Sequence, residues 1–157
     1  MNRLIIIGAL LLALLSGCSQ STRSLSGDAP PEVVVGVDGE TFETILGSNC
    51  WGDHSVEKYV CTDTSGPVGL LENRQPIEVQ AGEPITMNMD YNPQPGVVHL
   101  FEIENEVEKE IKVKNHQFTA PEKAGIYYYA YHVWWMDEEE EDVSNADAMY
   151  AFLLEVK

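Results

Sequence analysis

The stretch IYYYAYHVWW at residues 126–135 decides the fold class of this chain, and it is the longest apolar run after Cys18. In a β-strand, successive side chains point to opposite faces. One face would carry Tyr127, Tyr129, Tyr131 and Val133, and the other Ile126, Tyr128, Ala130, His132 and Trp134. Such a strand is either central in its sheet, or covers a core with one face and presents aromatic rings with the other.

Shorter strand patterns surround this run, separated by turns rich in glycine and proline. Residues 32–46 suggest a hairpin around Asp38-Gly39, and residues 85–90 and 148–156 alternate between apolar and other side chains. One helical turn is expected over residues 68–71, and helix signals are otherwise almost absent. Strands that recur roughly every 8–12 residues predict an all-β, antiparallel β-sandwich.

The N-terminus has the layout of a secretory signal, with Arg3 before an apolar run at residues 4–15. This run is too short to cross a hydrocarbon core of about 30 Å as a helix. The tetrad Leu15-Ser16-Gly17-Cys18 resembles a bacterial lipobox. The resemblance implies cleavage before Cys18, lipidation of its thiol with palmitate-like chains, and a protein anchored at the extracytoplasmic face of the bacterial cell membrane. The alternative is an ordinary secretory signal that ends near a cysteine by chance.

These features predict three segments. Residues 1–17 form a lipoprotein signal peptide, residues 18–31 the lipidated cysteine and a linker, and residues 32–157 the β-sandwich domain. The linker is rich in Ser, Thr, Gly and Pro and nearly free of large apolar residues, so we expect it to be flexible.

The cysteines fit an oxidising compartment. With Cys18 carrying lipid, Cys50 and Cys61 remain as an even pair, for which a disulfide is expected. Ten residues separate them, which is not the spacing of a C-x-x-C redox enzyme. We interpret the pair as a structural disulfide.

The charge of the chain limits its partners. It has 9 Lys and Arg against 26 Asp and Glu, a net charge of −17, and loss of Arg3 with the signal would make it −18. A field of this sign repels nucleic acid and anionic lipid head groups. It suits cations or basic proteins, or simply keeps the protein soluble.

Two patterns resemble a known group of proteins. GSNCW at residues 47–51, followed by CTD at 61–63 and GP at 66–67, resembles a block in small surface lipoproteins of Bacillus-like bacteria. The turn at 121–127 and the YAF at 150–152 are similar to the final strands of immunoglobulin-like sandwiches in such proteins. The resemblance covers residues 45–157 and implies an immunoglobulin-like sandwich on the cell surface. Because that group has no assigned activity, it implies no catalytic residues.

A metal site is one hypothesis for the region around residue 132. Cupredoxins place Cys, His and Met ligands after a Gly-x-Tyr-x-Tyr strand, and this chain has that strand pattern from Gly125. No cysteine lies between it and Met136, which excludes a blue-copper site. A weaker copper or zinc site from His99, His132 and Met136 stays open, beside the interpretation that these are ordinary strand residues.

Six consecutive carboxylates follow that strand: Asp137, Glu138, Glu139, Glu140, Glu141 and Asp142. Calcium prefers oxygen ligands, but the run lacks the ligand spacing of an EF-hand loop. The alternatives are a solvated loop, or a charged segment that steers a basic partner in a salt-dependent manner.

The sequence predicts no enzyme and no cofactor, because motifs for a nucleophilic serine, a zinc protease or a phosphate loop are absent. The main hypothesis is a binding module of the cell envelope, with a protein or glycan partner. We expect its binding surface at Trp134, Trp135 and the acidic run, since aromatic side chains are enriched at binding hot spots. Core packing is the competing explanation for the tryptophans.

Overall fold

The computed structural model describes residues 25–53, 58–138 and 140–157. Its strands are β1 (Val33–Val37), β2 (Glu40–Glu43), β3 (Ile45–Asp53), β4 (Lys58–Thr62), β5 (Ile77–Val79), β6 (Pro84–Met89), β7 (Val97–Glu104), β8 (Val107–Ile111), β9 (Gln117–Thr119), β10 (Gly125–Met136) and β11 (Ser144–Val156). A short helix, α1, spans Pro67–Leu70. The predicted all-β class and the single helical turn are confirmed.

The strands form two sheets. The smaller sheet has the order β2-β1-β6-β9, and the larger sheet has the order β4-β3-β11-β10-β7-β8. Their ladders are antiparallel except that β5 pairs in parallel with the end of β11. The order of β11, β10, β7 and β8 is that of strands G, F, C and C′ in an immunoglobulin sandwich, and β6 pairs with β9 as strand B pairs with E. The predicted antiparallel sandwich is therefore confirmed, with the hairpins β1–β2 and β3–β4 added at its start.

The first hairpin forms where the sequence predicts it. Asp38 and Gly39 have φ values of 46° and 83°, and they connect Val37 to its partner Glu40. Two consecutive residues with positive φ are what a two-residue type I′ turn needs, and the Asp-Gly pair supplies them. The turn fixes the register that buries Val33, Val35 and Val37.

The core lies between the two sheets and is built largely by β10 and β11. The predicted alternation along β10 is confirmed, and the face that carries Tyr129, Tyr131 and Val133 is the one buried in this core. The Tyr129 ring stacks on Phe152 of β11 with centroids 5.1 Å apart. Burial raises the pKa of the Tyr131 hydroxyl to about 12, so this group stays protonated throughout the physiological range.

The disulfide between Cys50 and Cys61 is confirmed, with an S–S distance of 2.04 Å. The two cysteines face each other directly across β3 and β4, with Cα atoms 4.0 Å apart. Because β4 lies at the edge of the larger sheet, the bond holds a peripheral strand in register.

The folded domain begins earlier than the sequence predicts. The Trp51 indole N–H donates to the carbonyl of Gly27 at 3.0 Å, and the Tyr91 hydroxyl bonds both the N–H and the carbonyl of Ser26. Leu25 packs against the core. The prediction of a flexible linker up to residue 31 is therefore wrong for residues 25–31, because their backbone groups satisfy aromatic donors of the sandwich. Residues 1–17 and Cys18 lie outside the described residues.

The part of the chain that the structure describes contains no helix long and apolar enough to cross a membrane.

Removing residues 25–31 should destabilise the domain. The Tyr150 hydroxyl, in a side chain that is 2 % exposed, donates to the Pro31 carbonyl at 2.6 Å. Without Pro31, this buried hydroxyl would be left without its acceptor. A fragment starting at Glu32 should therefore have a free energy of unfolding at least about 2 kcal/mol below that of a fragment starting at Leu25, measured by urea denaturation. A fragment starting at Asp28 keeps Pro31 and should fall between them. Equal values for all three would show that the segment contributes nothing.

Candidate functional site

The outward face of β10 forms the centre of the larger sheet's outer surface. His132 pairs directly with His99 of β7, and Ala130 pairs with Phe101. Since paired residues point to the same side of a sheet, these side chains and Trp134 share one face. Two strands separated by long stretches of sequence thus bring two histidines and two aromatic rings together.

Part of this outer surface is covered by α1 and the residue that follows it. Leu71 is buried in a second small core with Ala130, Met149, Ala151 and Leu153, and Leu70 packs at its border. Gly47 makes room for this cover, since a Cβ there would lie 2.3 Å from Met149 Cε. The helix therefore works as a lid over the half of the face toward the start of β10.

The remaining half carries four half-buried rings, which we call the His–aromatic cluster: His99, Phe101, His132 and Trp134. The Trp134 ring stacks with His132 at a centroid distance of 5.7 Å and meets His99 edge-on at 5.6 Å. Phe101 meets His132 edge-on at 5.6 Å and stacks with His99 at 6.1 Å. Each ring contacts two others, so the cluster is a continuous surface rather than a set of isolated side chains.

Carboxylates border the cluster on two sides. His99 Nδ1 lies 2.6 Å from Glu110 Oε1 of β8, where the carboxylate accepts a hydrogen bond from the ring. On the other side, Asp147 of β11 pairs with Trp134. Burial raises the pKa of Asp147, an effect opposed by the Cys50 backbone N–H and by His132. Burial and the nearby Asp147 also raise the pKa of Tyr59.

His132 is a half-buried member of the cluster. Burial lowers its pKa from the usual value of 6.5, and His99 acts in the same direction, while Glu108 and Asp147 oppose them. A lowered pKa means that the imidazole is neutral at pH 7. At neutral pH the cluster therefore has an uncharged imidazole, His132, beside Trp134, and carboxylates at its border.

The two predicted tryptophans lie on opposite faces. Trp134 belongs to the cluster, but Trp135 is only 3 % exposed, and its indole N–H donates to the Pro93 carbonyl at 2.8 Å. Its ring meets Trp51 edge-on at 4.9 Å inside the core. The prediction that both form one exposed surface is therefore wrong for Trp135, because neighbouring strand residues alternate between faces.

The acidic run forms the tight connection between β10 and β11. The Asp137 N–H donates to the Val143 carbonyl at 2.8 Å, and its carboxylate accepts from the Glu140 N–H at 2.9 Å. Glu138, Glu140, Glu141 and Asp142 are exposed, and Glu139 lies outside the described residues. Apart from Asp137, the described acidic side chains of the run are thus exposed to solvent, and they form no group placed to hold a metal ion.

The three residues of the copper or zinc hypothesis are only partly brought together. His99 and His132 are direct cross-strand neighbours. Met136 lies four residues beyond His132, about 13 Å along an extended strand, with Trp134 between them. Among the described residues, no group of three or more His, Cys, Asp or Glu side chains is placed to hold a metal ion.

Two open clefts lie elsewhere. One, of about 610 Å³, runs along β1 and β6 and is lined by residues that include Glu32, Asn88, Asp90 and His116. The other, of about 410 Å³, is lined by Glu102, Lys123 and Tyr129, among others. Neither contains a predicted site residue.

Sequence reasoning did not include Phe101, Glu110 or Asp147 in the site. Phe101 lies two residues from His99 and was therefore detectable by alternation on β7. Glu110 and Asp147 join the site only through the registers of β7 with β8 and of β10 with β11, which the sequence does not specify.

The opposite positions of the two tryptophans predict different effects on stability. Trp135→Ala should lower the free energy of unfolding by about 3–5 kcal/mol, because it removes a buried ring from the core. Trp134→Ala should cost less, about 1–2 kcal/mol, since the side chain is only partly buried. Urea denaturation of both variants measures this difference, and equal losses would contradict the assignment of faces.

Comparisons of the chain with family models, with curated proteins and with solved structures gave no significant match. The resemblance to small surface lipoproteins therefore stays a prediction.

Proposed function

We propose that this protein is a lipid-anchored, non-enzymatic binding module at the extracytoplasmic face of a bacterial cell membrane, and that it binds its partner through the His–aromatic cluster. The observation that carries this proposal is the half-covered outer face of the larger sheet. Helix α1 buries one part of that face, while four contacting rings beside it are left partly open to solvent.

The composition of the cluster supports binding. The solvent-facing side of an antiparallel sheet normally carries polar side chains. Aromatic side chains are enriched in the buried centres of protein interfaces, where they supply much of the contact area. Trp134 is the strongest candidate for a hot spot, since tryptophan is among the residues most enriched there. The cluster lies on the face of a sheet, which suits the broad surface of a macromolecule.

The position of Leu25 supports an orientation for the anchored domain. Leu25 packs at the end of the sandwich where Trp51 and Tyr91 hold residues 26 and 27. If Cys18 carries the lipid, seven residue steps join it to Leu25, a reach of at most about 25 Å. This end would then stay near the bilayer, and the His–aromatic cluster would open sideways, toward neighbouring proteins of the membrane surface.

The anchor is tested by replacing Cys18. The wild-type chain should sediment with membranes after cell fractionation and should incorporate radiolabelled palmitate. Cys18→Ser removes the thiol that a lipid would modify, so both properties should be lost. If the variant stays in the membrane pellet and is labelled like the wild type, the anchor is not at Cys18.

The binding surface is tested by site-specific photo-crosslinking in cells. A benzoylphenylalanine in place of Phe101 should yield a discrete crosslinked adduct, because this ring lies within the cluster. The same probe at Thr41, an exposed residue of β2 in the smaller sheet, serves as the control and should yield none.

Adding Trp134→Ala to the Phe101 probe should abolish the adduct while the protein level is unchanged. Equal adducts from both probe positions, or no adduct from position 101, would refute the cluster as the binding surface.

A further inference from the structure

We propose that the His–aromatic cluster receives a basic segment of a partner protein, with a lysine or arginine side chain placed over the Trp134 ring and between the carboxylates of the two flanking strands. This inference rests on the proposed function and adds the chemical class of the partner.

Carboxylates act on the cluster from both sides. Glu110 of β8 bonds His99, and Glu108 of the same strand acts electrostatically on His132. From the opposite side, Asp147 of β11 acts on His132 and pairs with Trp134. A cation seated at the centre of the cluster would therefore have acidic side chains on two of its sides.

The aromatic centre fits a cation as well. Lysine and arginine groups are attracted to the face of an aromatic ring within about 6 Å, and tryptophan is the best acceptor. The neutral His132 ring lies beside Trp134 and does not repel a positive charge at pH 7. Guanidinium groups also stack on planar rings and pair with carboxylates in the same contact.

Asp147 adds to this argument because it pairs directly with Trp134 across β10 and β11. Burial raises the pKa of its carboxyl group, so the charge of the carboxylate is only partly solvated by water. A partner cation would compensate this charge in the complex. Within the described chain, the Cys50 N–H donates to this carboxylate, and the nearby His132 is neutral at pH 7.

The net charge of −17 favours a basic protein over a second copy of this chain. Two copies would repel each other, whereas a basic partner is drawn to the acidic surface and binds faster at low salt. A glycan could stack on the aromatic rings, but a neutral sugar would not be attracted by the negative charge of the surrounding carboxylates. The predicted binding is therefore salt-dependent.

The test is a titration of the purified full-length chain, in a non-ionic detergent, with a ten-residue peptide of alternating arginine and glycine. A second peptide with citrulline in place of arginine keeps the shape and removes the charge. The arginine peptide should bind at least about tenfold more tightly, and 0.5 M salt should remove most of the difference. Equal affinities for the two peptides would overturn the proposal.

Matched variants separate a specific site from general attraction to an acidic protein. E108Q/E110Q should weaken binding of the arginine peptide several-fold. E40Q/E43Q removes the same charge from β2 of the smaller sheet and should change the affinity less than twofold. Equal losses in the two double variants would overturn the proposal, because they would show attraction to net charge alone.

Trp134 supplies the second criterion. Trp134→Ala should weaken binding about tenfold, and Trp134→Phe, which retains a ring, should lose less. Circular dichroism establishes that each variant is folded, and unchanged affinity in Trp134→Ala would overturn the proposal.

The two proposals fail separately. A crosslinked adduct at position 101 without binding of the arginine peptide would leave the cluster as an interface and exclude a basic partner. Absence of both would remove the interface itself.

Discussion

The structure depends on the long antiparallel ladder between β10 and β11. These two strands pair from Gly125 with Val156 to Met136 with Ser144, and they lie in the middle of the larger sheet. Their inward side chains form one wall of the core, and their outward side chains form the centre of the outer face. The period of two along β10 thus decides both what holds the domain together and what it can present to a partner.

A strand with bulk on both faces leaves apolar surface that one core cannot bury. Part of the second apolar face is buried within the domain, because Leu70 and Leu71 at the end of α1 pack over a small core. This core contains Ala130, Met149, Ala151 and Leu153. The absence of a Cβ at Gly47 leaves space for the end of the Met149 side chain and for Leu70. The lid ends before Phe101 and His132, so the open rings are the continuation of a surface that is covered elsewhere by the protein itself.

The sequence predicts the fold better than the site because the two depend on information at different distances. Alternation in residues 126–135 and the Asp38-Gly39 turn are local, and both predict what the structure contains. Composition predicts a flexible linker at residues 25–31, but it carries no information about the distant side chains, Trp51 and Tyr150, that donate to the carbonyl groups of this segment. Glu110 and Asp147 reach the cluster only through strand pairing. The alternation of side chains along a strand already places Trp134 and Trp135 on opposite faces. The prediction of one surface that contains both tryptophans does not follow this alternation.

The pKa directions of His132 and Asp147 show how the face is divided. Burial favours the neutral form of each group, lowering one pKa and raising the other, which marks the strip around Trp134 as poorly hydrated. Glu110 at the edge is more open to solvent, with a side chain 58 % exposed. A partly buried aromatic centre with a charged, hydrated border resembles the core and rim of protein–protein interfaces. A partner that covered this strip without bringing positive charge would desolvate Asp147 further, which favours the proposed basic partner over a neutral one.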